Sequence, residues 1–221
     1  MTDSAAQRLN MVESQVRPSD VTDRRIIRAM LAVPREAFVP DALRSIAYMD
    51  VDVPVLPGAS APRYLLAPRL FAKLAQEARL EAGMSVLDVG CATGYSSAVL
   101  ARFVGAVTGL ECVPELAAAA RKALAAQGAG NVTVVEGPLE AGVSGSGPFD
   151  AILLNGAVGR EPGALLEQLK EGGRLLCVVA DGYFGQAVVF TRVGRTFDRR
   201  TAFDAGAHPL PGFAAKAEFV F

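Results

Sequence analysis

The sequence of 221 residues has few of the side chains that bind metal ions or form disulfides. It contains one histidine, His208, and three cysteines, Cys91, Cys112 and Cys177, with no CxxC pair. Neither a zinc site nor a disulfide framework is supported, so we expect no bound metal. The cysteines stand in apolar or glycine-rich settings, which agrees with a reducing compartment.

Long apolar runs and net charge are also missing. No segment approaches the ~20 apolar residues of a membrane span, and the start, MTDSAAQRLN, lacks the apolar core of a signal peptide. With 22 basic and 23 acidic residues, the net charge is −1, which gives no electrostatic case for nucleic acid or an anionic membrane. We therefore expect a soluble, cytoplasmic protein of unknown oligomeric state. A basic patch is the alternative interpretation of four arginines that we assign to a solvated strand face, namely Arg192, Arg195, Arg199 and Arg200.

The most informative stretch is VLDVGCATGYSSAVLARFVGAVTGLE, which runs from Val86 to Glu111. It predicts a strand at 85–89, a glycine-rich loop at 90–94, a helix at 95–103 and a strand at 106–110. Such a β-α-β unit opens a doubly wound sheet, and a nucleotide-like ligand lies across the carboxyl edge of its strands.

The remaining pattern predicts one α/β domain with a mainly parallel sheet and an antiparallel C-terminal edge. We divide it into a helical lead-in at 1–45, a loop at 46–67, a core at 68–182 and C-terminal strands at 183–221. Residues 1–10 are expected to fray, and Pro18 to separate two short helices, the second beginning at 19–22. The other predicted elements are helices at 67–78, 114–127 and 161–170, buried strands at 132–136, 150–155 and 174–180, and antiparallel strands at 186–193, 196–203 and 216–221.

The glycine-rich loop distinguishes among possible ligands. A P-loop requires GxxxxGK[ST], and the segment from Gly90 to Ser97 has no lysine, which argues against phosphoryl transfer. A dinucleotide fingerprint requires glycine or alanine where Tyr95 stands, because a tyrosine obstructs close helix–strand packing. The spacing present, D-x-G-x-A-x-G, is typical of S-adenosylmethionine binding.

Each residue of this spacing has a physical interpretation. Gly90 permits a turn that a Cβ would hinder, Ala92 is tolerable if its φ is negative, and Gly94 keeps the wall thin beside the methionine part of the cofactor. Asp88 either faces the cofactor's amino group or braces the loop. Glu111 lies 21 residues beyond Gly90, close to the ~20 expected of the acidic residue that accepts both ribose hydroxyls. The alternative is that both carboxylates are solvated strand ends.

Several segments together are similar to one known family. MVESQV at 11–16 and DRRIIRAMLAVPREAFVP at 23–40 form a specific N-terminal block, and AYMD at 47–50 matches a short A-Y-x-D signature. VLDVGCATGY, NVTVVEGPLEAG, PFDAILLNGA and GGRLLCVV resemble the cofactor loop and the third, fourth and fifth strand segments. Over nearly its whole length the chain resembles the protein-L-isoaspartate O-methyltransferase family.

The resemblance implies a Rossmann-like methyltransferase that uses S-adenosylmethionine. Its acceptor would be a carboxylate of a damaged aspartyl residue in a protein or peptide, whose methyl ester then collapses to a succinimide. The matching segments add Cys91, Tyr95, Gly137, Pro138 and Leu139 to the cofactor-binding set. The alternatives are a paralogue that binds the cofactor but methylates another acceptor, and a non-catalytic binding module.

The loop before the first core strand departs from the family pattern, T-I-S-x-P, whose hydroxyl groups help to hold the substrate. One register places Ser60-Ala61-Pro62 on this motif, but the spacing onward to Asp88 is then too long. The register that we favour places Pro68 on the motif proline and Tyr64-Leu65-Leu66 over T-I-S, so the polar groups are lost. The remaining candidates to meet a substrate carboxylate are Ser60, Arg63 and Asn155.

A second departure is Pro138, where relatives carry an aspartate that faces the adenine amino group. Proline lacks both that carboxylate and a backbone donor. Losing one such hydrogen bond costs about 1–3 kcal/mol, which weakens binding without abolishing it. Glu140, two residues on, is a possible partial replacement.

Overall fold

The structure, a computed structural model, describes residues 4–56, 62–180 and 182–214. The helices are α1 (Ser4–Met11), α2 (Arg24–Ala32), α3 (Pro68–Glu77), α4 (Tyr95–Leu100), α5 (Pro114–Ala126) and α6 (Gly163–Leu166). The strands are β1 (Val53–Pro54), β2 (Tyr64–Leu65), β3 (Ser85–Val89), β4 (Ala106–Glu111), β5 (Val132–Glu136), β6 (Phe149–Val158), β7 (Leu169–Ala180), β8 (Phe184–Val193) and β9 (Thr196–Gly206).

Seven strands form the main sheet in the order β5-β4-β3-β6-β7-β8-β9. The pairs from β5 to β7 are parallel, and β7–β8 and β8–β9 are antiparallel. The chain leaves β3 toward β4 on one side and returns to β6 on the other, so the strand order reverses between β3 and β6. The crevice at such a switch point is where open α/β sheets bind ligands.

The two faces of the sheet are covered differently. One face packs against the lead-in and helices α3, α4 and α5, with Val86 and Val107 pointing toward them. The other face has Leu87, Val89 and Leu110, and it is covered by the short α6 and by Leu139, Leu210 and Phe213. Alternate residues of β3 thus enter opposite cores, as the pleat of a strand requires.

The start of the lead-in is ordered, so the expected fraying is wrong for residues 4–10. Helix α1 runs into a wider turn at Val12–Val16, and Met11, Val12 and Val16 are fully buried. Pro18 does interrupt the helix, but α2 begins only at Arg24, later than predicted. Its start is fixed by Asp23, whose carboxylate accepts the Arg25 N–H at 2.8 Å as an N-cap.

Two other sequence predictions need correction, and a third concerns residues that the structure does not describe. The predicted helix at 161–170 is only the single turn α6, because Leu169 already pairs with Phe149 and the chain is extended there. The loop at 46–67 contains a small sheet in which β1 pairs with β2. The predicted strand at 216–221 lies outside the described residues.

The antiparallel end of the sheet carries part of the basic patch considered from the sequence. Arg200 forms an ion pair with Glu77 of α3 at 2.6 Å, and Arg192 donates to the carbonyl oxygen of Leu169 at 2.8 Å. These two arginines are therefore engaged within the fold. Among the described residues, no helix combines the length and the apolar character needed to cross a membrane.

Candidate functional site

The loop between β3 and α4 takes three left-handed backbone conformations. Gly90 has a φ of +70°, Ala92 of +52° and Gly94 of +95°. Ala92 therefore does not have the negative φ at which alanine is readily tolerated, and this strained residue donates its N–H to Glu111 at 2.8 Å. Gly94 does not thin a crevice wall as predicted, because a Cβ there would meet Leu124 of α5 at 3.2 Å.

Asp88 braces the loop rather than facing solvent. The carboxylate is fully buried, and its Oδ2 accepts from the hydroxyls of Ser96 at 2.6 Å and Ser97 at 2.5 Å. Its Oδ1 accepts from the Asn155 side-chain amide at 2.6 Å. Three neutral donors from α4 and β6 thus lock the end of β3 to its neighbours. The interpretation of Asp88 as a solvated strand end is wrong.

Glu111, at the end of β4, is also fully buried and uses both oxygens. Its Oε2 accepts from the Ala92 N–H at 2.8 Å and from Arg63 Nη2 at 3.0 Å. Its Oε1 accepts from the Cys112 and Val113 N–H groups and, at 3.3 Å, from Arg63 Nε. This carboxylate is therefore a site for planar, two-pronged donors, and the solvated alternative is wrong here as well.

The two carboxyl groups have pKa shifts of opposite sign. Burial raises the pKa of Asp88, and its neutral hydrogen-bond donors only partly oppose this. Burial also acts to raise the pKa of Glu111, but the Arg63 guanidinium and the backbone amides outweigh it and hold that pKa below its usual value. With its pKa lowered, the Glu111 carboxyl group is ionised at neutral pH and carries a negative charge in the site.

The sequence suggested that Arg63 faces a substrate pocket, but its side chain pairs with Glu111 instead. It belongs to a short segment, residues 62–66, which we call the strap, and its side chain is 2% exposed against a fully buried Glu111. The strap is fixed through its backbone, because the Arg63 carbonyl oxygen accepts the Val55 N–H at 2.9 Å. Arg63 therefore lies at the Glu111 end of the crevice.

The strap also closes the space predicted for the methionine part of the cofactor. A cavity of about 10 Å³, which we call the inner cavity, remains there, about the volume of one water molecule. It is lined by Arg35, Tyr64, Leu65, Leu66, Phe71, Gly90, Cys91, Tyr95, Ser96 and Asn155. The predicted site residues of the glycine-rich loop, α4 and β6 thus line one cavity, and Leu65 and Leu66 of the strap line it from the opposite side.

Tyr95 and Arg35 form the back of the inner cavity. The Arg35 guanidinium lies 4.7 Å from the centre of the Tyr95 ring and donates to the carbonyl oxygens of Ala47 and Leu66. Within the described residues, the Tyr95 hydroxyl and Arg35 Nη1 have no hydrogen-bond partner. Burial raises the pKa of Tyr95 despite this neighbouring cation. Arg35 thus connects the lead-in, the strap and α4.

The three residues predicted for the acceptor do not share one position. Asn155 lines the inner cavity, but its amide is held by Asp88 and by the carbonyl oxygen of Val89. Arg63 is engaged with Glu111. Ser60 lies outside the described residues. Asn155 therefore fixes the geometry of the crevice, and the strap contributes a cation to it.

The segment after β5 holds the remaining candidates. The Gly137 N–H donates to the carbonyl oxygen of Glu111 at 3.1 Å, and Pro138 precedes one short helical turn. Leu139 is fully buried in the core beneath the sheet. Glu140 points toward residue 212, where its carboxylate fills the space that a Cβ on Gly212 would take.

A larger depression of about 690 Å³ opens on the outer side of the strap. This outer groove is lined by charges of both signs and exposed aromatic rings, among them Asp50, Asp52, Arg69, Lys73, Tyr183, Phe184, Asp204 and His208. The Asp52 side chain is 4% exposed, and its desolvation raises the pKa of this carboxyl group. Its Oδ2 lies 4.0 Å from His208 Nε2 without a hydrogen bond in the described residues. The His208 ring stacks on Tyr64 at 3.7 Å. Tyr64 therefore separates the outer groove from the inner cavity.

Sequence reasoning missed several residues of this site. Ser96 and Ser97 had a usable signal, since two hydroxyls in the first turn of α4 follow a strand-end aspartate. Arg35 and Leu210 had none, because they reach the crevice from distant segments. A Cβ on Gly90 would lie 3.0 Å from Leu210 Cδ2, so Leu210 covers the loop from the C-terminal side.

Comparisons with known proteins agree on one family. The model of the Protein-L-isoaspartate(D-aspartate) O-methyltransferase (PCMT) family matches residues 6–202. The protein-L-isoaspartate O-methyltransferase of Hyperthermus butylicus is 38% identical over 205 residues, covering 87% of this chain and 83% of the relative. Protein-L-isoaspartate O-methyltransferase 2 of an Anaeromyxobacter species is 40% identical over 190 residues, covering 86% and 76%.

Solved structures show the same fold. A protein-L-isoaspartate O-methyltransferase superposes with a TM-score of 0.83 at 24% identity, covering 96% of this chain and 67% of the other. A putative member from Plasmodium falciparum, in complex with S-adenosyl-L-homocysteine, superposes with a TM-score of 0.77 at 20% identity, covering 95% and 99%. The predicted fold class and the resemblance are confirmed. The chain belongs to the protein-L-isoaspartate(D-aspartate) O-methyltransferase family.

Proposed function

We propose that this chain is an S-adenosylmethionine-dependent O-methyltransferase that methylates a carboxylate of damaged aspartyl residues in proteins or peptides. The observation that carries the proposal is the family match over residues 6–202. That range includes all but the first five residues of the lead-in, the strap and every parallel strand. A cytoplasmic setting, in keeping with three unpaired cysteines, is part of the proposal.

The residues at the carboxyl edge fit the ribose of this cofactor. Glu111 already holds a planar guanidinium by both oxygens, and a vicinal diol presents two O–H donors to a carboxylate in the same way. Gly90 supplies bare backbone beside it, because a Cβ there would lie only 2.6 Å from Arg63 Nη2. Glu111 binds the two ribose hydroxyls, and Gly90 leaves room for the ring.

The other candidates fall at the two ends of the cofactor. Gly137, Pro138 and Leu139 follow β5, where the adenine lies in this proposal. Cys91 and Tyr95 border the inner cavity, at the methionine end. Asp88 and Gly94 act indirectly, because the first holds the loop to α4 and the second allows α5 to approach it.

When bound, the cofactor supplies an electrophilic methyl group on a sulfonium, which is already a good leaving group. The residues of this chain position the reactants, and alignment of this kind contributes on the order of 7–11 kcal/mol. Asp88 and Asn155 fix the crevice by hydrogen bonds, and the apolar strap excludes water from it. The acceptor carboxylate is ionised at neutral pH, so no side chain has to remove a proton from it.

The acceptor reaches the methyl group through the outer groove. Arg69 and Lys73 provide cations on its rim, and Tyr183 and Phe184 provide exposed rings for a peptide chain. The stacked Tyr64 and His208 side chains form the wall between this groove and the inner cavity. A movement of Tyr64 would therefore join the two compartments.

A second candidate function is methyl transfer to a different acceptor. Tyr64, Leu65 and Leu66 stand in the register of the family's T-I-S segment and offer no comparable hydroxyl array. The outer groove also contains the carboxylates of Asp50, Asp52 and Asp204, which offset the cations of Arg69 and Lys73. These observations favour a neutral or cationic acceptor within the same fold.

Methyl transfer from radiolabelled S-adenosylmethionine to an isoaspartyl peptide tests the leading proposal. The control substrate is the aspartyl peptide of identical sequence. We expect base-labile label in the isoaspartyl peptide only, and its loss in Glu111→Gln. Glu115→Gln, a change at an exposed position four residues further on, is the matched control and should retain activity.

The same assay separates the two candidate functions. Absence of label above the reaction without enzyme, in a protein that binds S-adenosylhomocysteine, would refute the isoaspartyl acceptor and leave the second candidate. Equal labelling of the isoaspartyl and aspartyl peptides would also contradict the leading proposal, because selectivity for the damaged residue would be missing.

A further inference from the structure

The position that the proposed function gives to the ribose is held by a side chain of the protein. Arg63 contacts both Glu111 oxygens, through Nε at 3.3 Å and Nη2 at 3.0 Å. The two side chains are 2% and 0% exposed. This is an ion pair removed from solvent, in which two N–H donors of one planar group lie on one carboxylate.

Glu111 has no capacity left for the ribose while Arg63 remains. Three of its contacts are backbone N–H groups, from Ala92, Cys112 and Val113. A ligand cannot displace these donors, because they belong to the fold around β4. The Arg63 guanidinium is the one contact among these that side-chain movement can remove. A diol can therefore reach Glu111 only by replacing Arg63.

The steric arrangement leads to the same result. Arg63 Nη2 lies over Gly90, at 2.6 Å from the point where a Cβ would stand. The adjoining strap residues reduce the inner cavity to about 10 Å³. The bare backbone of Gly90 and the carboxylate of Glu111 are thus covered by the same segment, which has to move as a unit.

We propose that Arg63 is an internal competitor of the cofactor, so that S-adenosylmethionine binds only after the strap has withdrawn the Arg63 guanidinium from Glu111. This inference rests on the proposed cofactor site and goes beyond it. It assigns to Arg63 the control of cofactor affinity, and to the strap the role of a closure that excludes the cofactor in the resting protein.

Besides the Arg63 ion pair, a small number of non-covalent contacts hold the strap in place. On its outer side, Tyr64 stacks on the partly exposed His208 ring. On its inner side, the Leu66 carbonyl oxygen accepts from Arg35 at 2.8 Å. Only two residue pairs join β1 and β2. Leu65 and Leu66 are also buried in the core, each 4% exposed, so these side chains have to move when Arg63 withdraws from Glu111.

The competition sets an expected magnitude. If the open strap is populated at about one part in ten or less, apparent cofactor affinity falls about tenfold or more below the intrinsic value. Removing the competing group should restore that factor. Arg63→Met keeps much of the side-chain length and apolar bulk while removing the charge and all donors.

Isothermal titration with S-adenosylhomocysteine tests this competition. We expect Arg63→Met to bind at least about tenfold more tightly than the natural chain. Arg44→Met is the matched control, because it removes an exposed arginine paired with Asp41, and its affinity should be unchanged. Equal or weaker binding by Arg63→Met would overturn the proposal, and so would failure of both proteins to bind.

A kinetic measurement on the natural chain gives an independent test should Arg63→Met fold poorly. The chain has four tyrosines and no tryptophan, so stopped-flow tyrosine emission can follow the release of Tyr64 from His208. If the strap opens first, and more slowly than the ligand binds, the observed rate falls toward the opening rate as S-adenosylhomocysteine increases. A rate that rises linearly over the whole range would contradict opening before binding.

Failure of this inference can be told apart from failure of the proposed function. Tighter binding by Arg63→Met without methylation of isoaspartyl peptides would support the competition and refute the acceptor. Methylation by the natural chain with unchanged affinity in Arg63→Met would support the function and refute the competition.

Discussion

Asp88 and Glu111 end neighbouring parallel strands, are both fully buried, and solve the same electrostatic problem in different ways. Asp88 receives only neutral donors, from Ser96, Ser97 and Asn155. Glu111 receives backbone amides and the Arg63 cation. The pKa of the first is raised by burial and that of the second is lowered by its partners, although burial acts on both.

The difference shows which carboxylate belongs to the scaffold. The partners of Asp88 come from α4 and β6, which pack in the core and cannot leave. Arg63 comes from the strap, a short segment outside the main sheet that is held by the β1–β2 pairing, by Arg35 and by burial of Leu65 and Leu66. A cation on a segment that can move keeps Glu111 charged until a ligand replaces it, whereas neutral donors from fixed elements make Asp88 a permanent brace.

The largest effect should follow from removing one member of the ion pair. Arg63→Met leaves the Glu111 charge buried without its cation, which we expect to lower the free energy of unfolding by about 3 kcal/mol. Urea denaturation at pH 7 measures it. Arg63→Met/Glu111→Gln should recover most of the loss, because no unpaired charge remains. A single variant as stable as the natural chain would show that water already reaches Glu111.

A smaller loss should follow at Asp88. Asp88→Ala removes the acceptor of three buried donors, and we expect a cost of about 2 kcal/mol in unfolding free energy. Affinity for S-adenosylhomocysteine should fall with it, since the loop is no longer braced. The same denaturation assay applies. A change under about 0.5 kcal/mol would mean that Asp88 is dispensable to the fold.

The opposite pKa shifts predict opposite pH slopes of stability. The contribution of Glu111 is present above its ordinary pKa of 4.5 and is lost as pH falls through its lowered folded value. Asp88 favours the fold when protonated, so its contribution falls as pH rises from 3.8 through its raised folded value.

Unfolding free energies from pH 3 to 7 check these slopes. Glu111→Gln should flatten the decline toward acid, and Asp88→Asn the decline toward neutral pH, each by about 1.4 kcal/mol per unit of pKa shift. The slope is compared rather than the absolute value, because both variants also lose hydrogen bonds. Identical slopes in both variants would remove the distinction between the two carboxylates.

The smallest effect concerns the outer fastening of the strap. His208→Ala removes the ring that stacks on Tyr64, and we expect a loss of about 0.5–1 kcal/mol in stability. Cofactor binding should become faster, because the strap opens more readily. Thermal denaturation and stopped-flow binding measure the two changes. Slower binding would assign His208 to the cofactor site instead of the closure.

The sequence predicted the parts of the candidate site that are local in the chain. Gly90, Gly94 and Glu111 follow from the spacing of a single β-α-β unit, and the strands at 85–89 and 132–136 have their predicted bounds. This was possible because loop, helix and strand of such a unit are contiguous. The short α6 was not foreseen, since pairing of Leu169 with Phe149 overrides the helical pattern.

Contacts between distant segments could not be predicted. The sequence assigned Arg63 and Glu111 to different ligands, although 48 positions apart they bind each other. Arg35, which ties the lead-in to the strap, gave no signal, because its partners are backbone carbonyl oxygens. Side chains of this kind reveal their role only when the fold has brought the segments together.

Gly90 constrains the closed protein as much as the open one. Its φ of +70° already disfavours any side chain, and the space above it is claimed by Arg63 in one state and by the proposed ribose in the other. A side chain at position 90 would therefore disturb both the closed state, with Arg63 on Glu111, and the cofactor-bound state. The balance between the two states can instead be adjusted at residues that hold the strap, such as Arg35, Arg63, Tyr64 and His208.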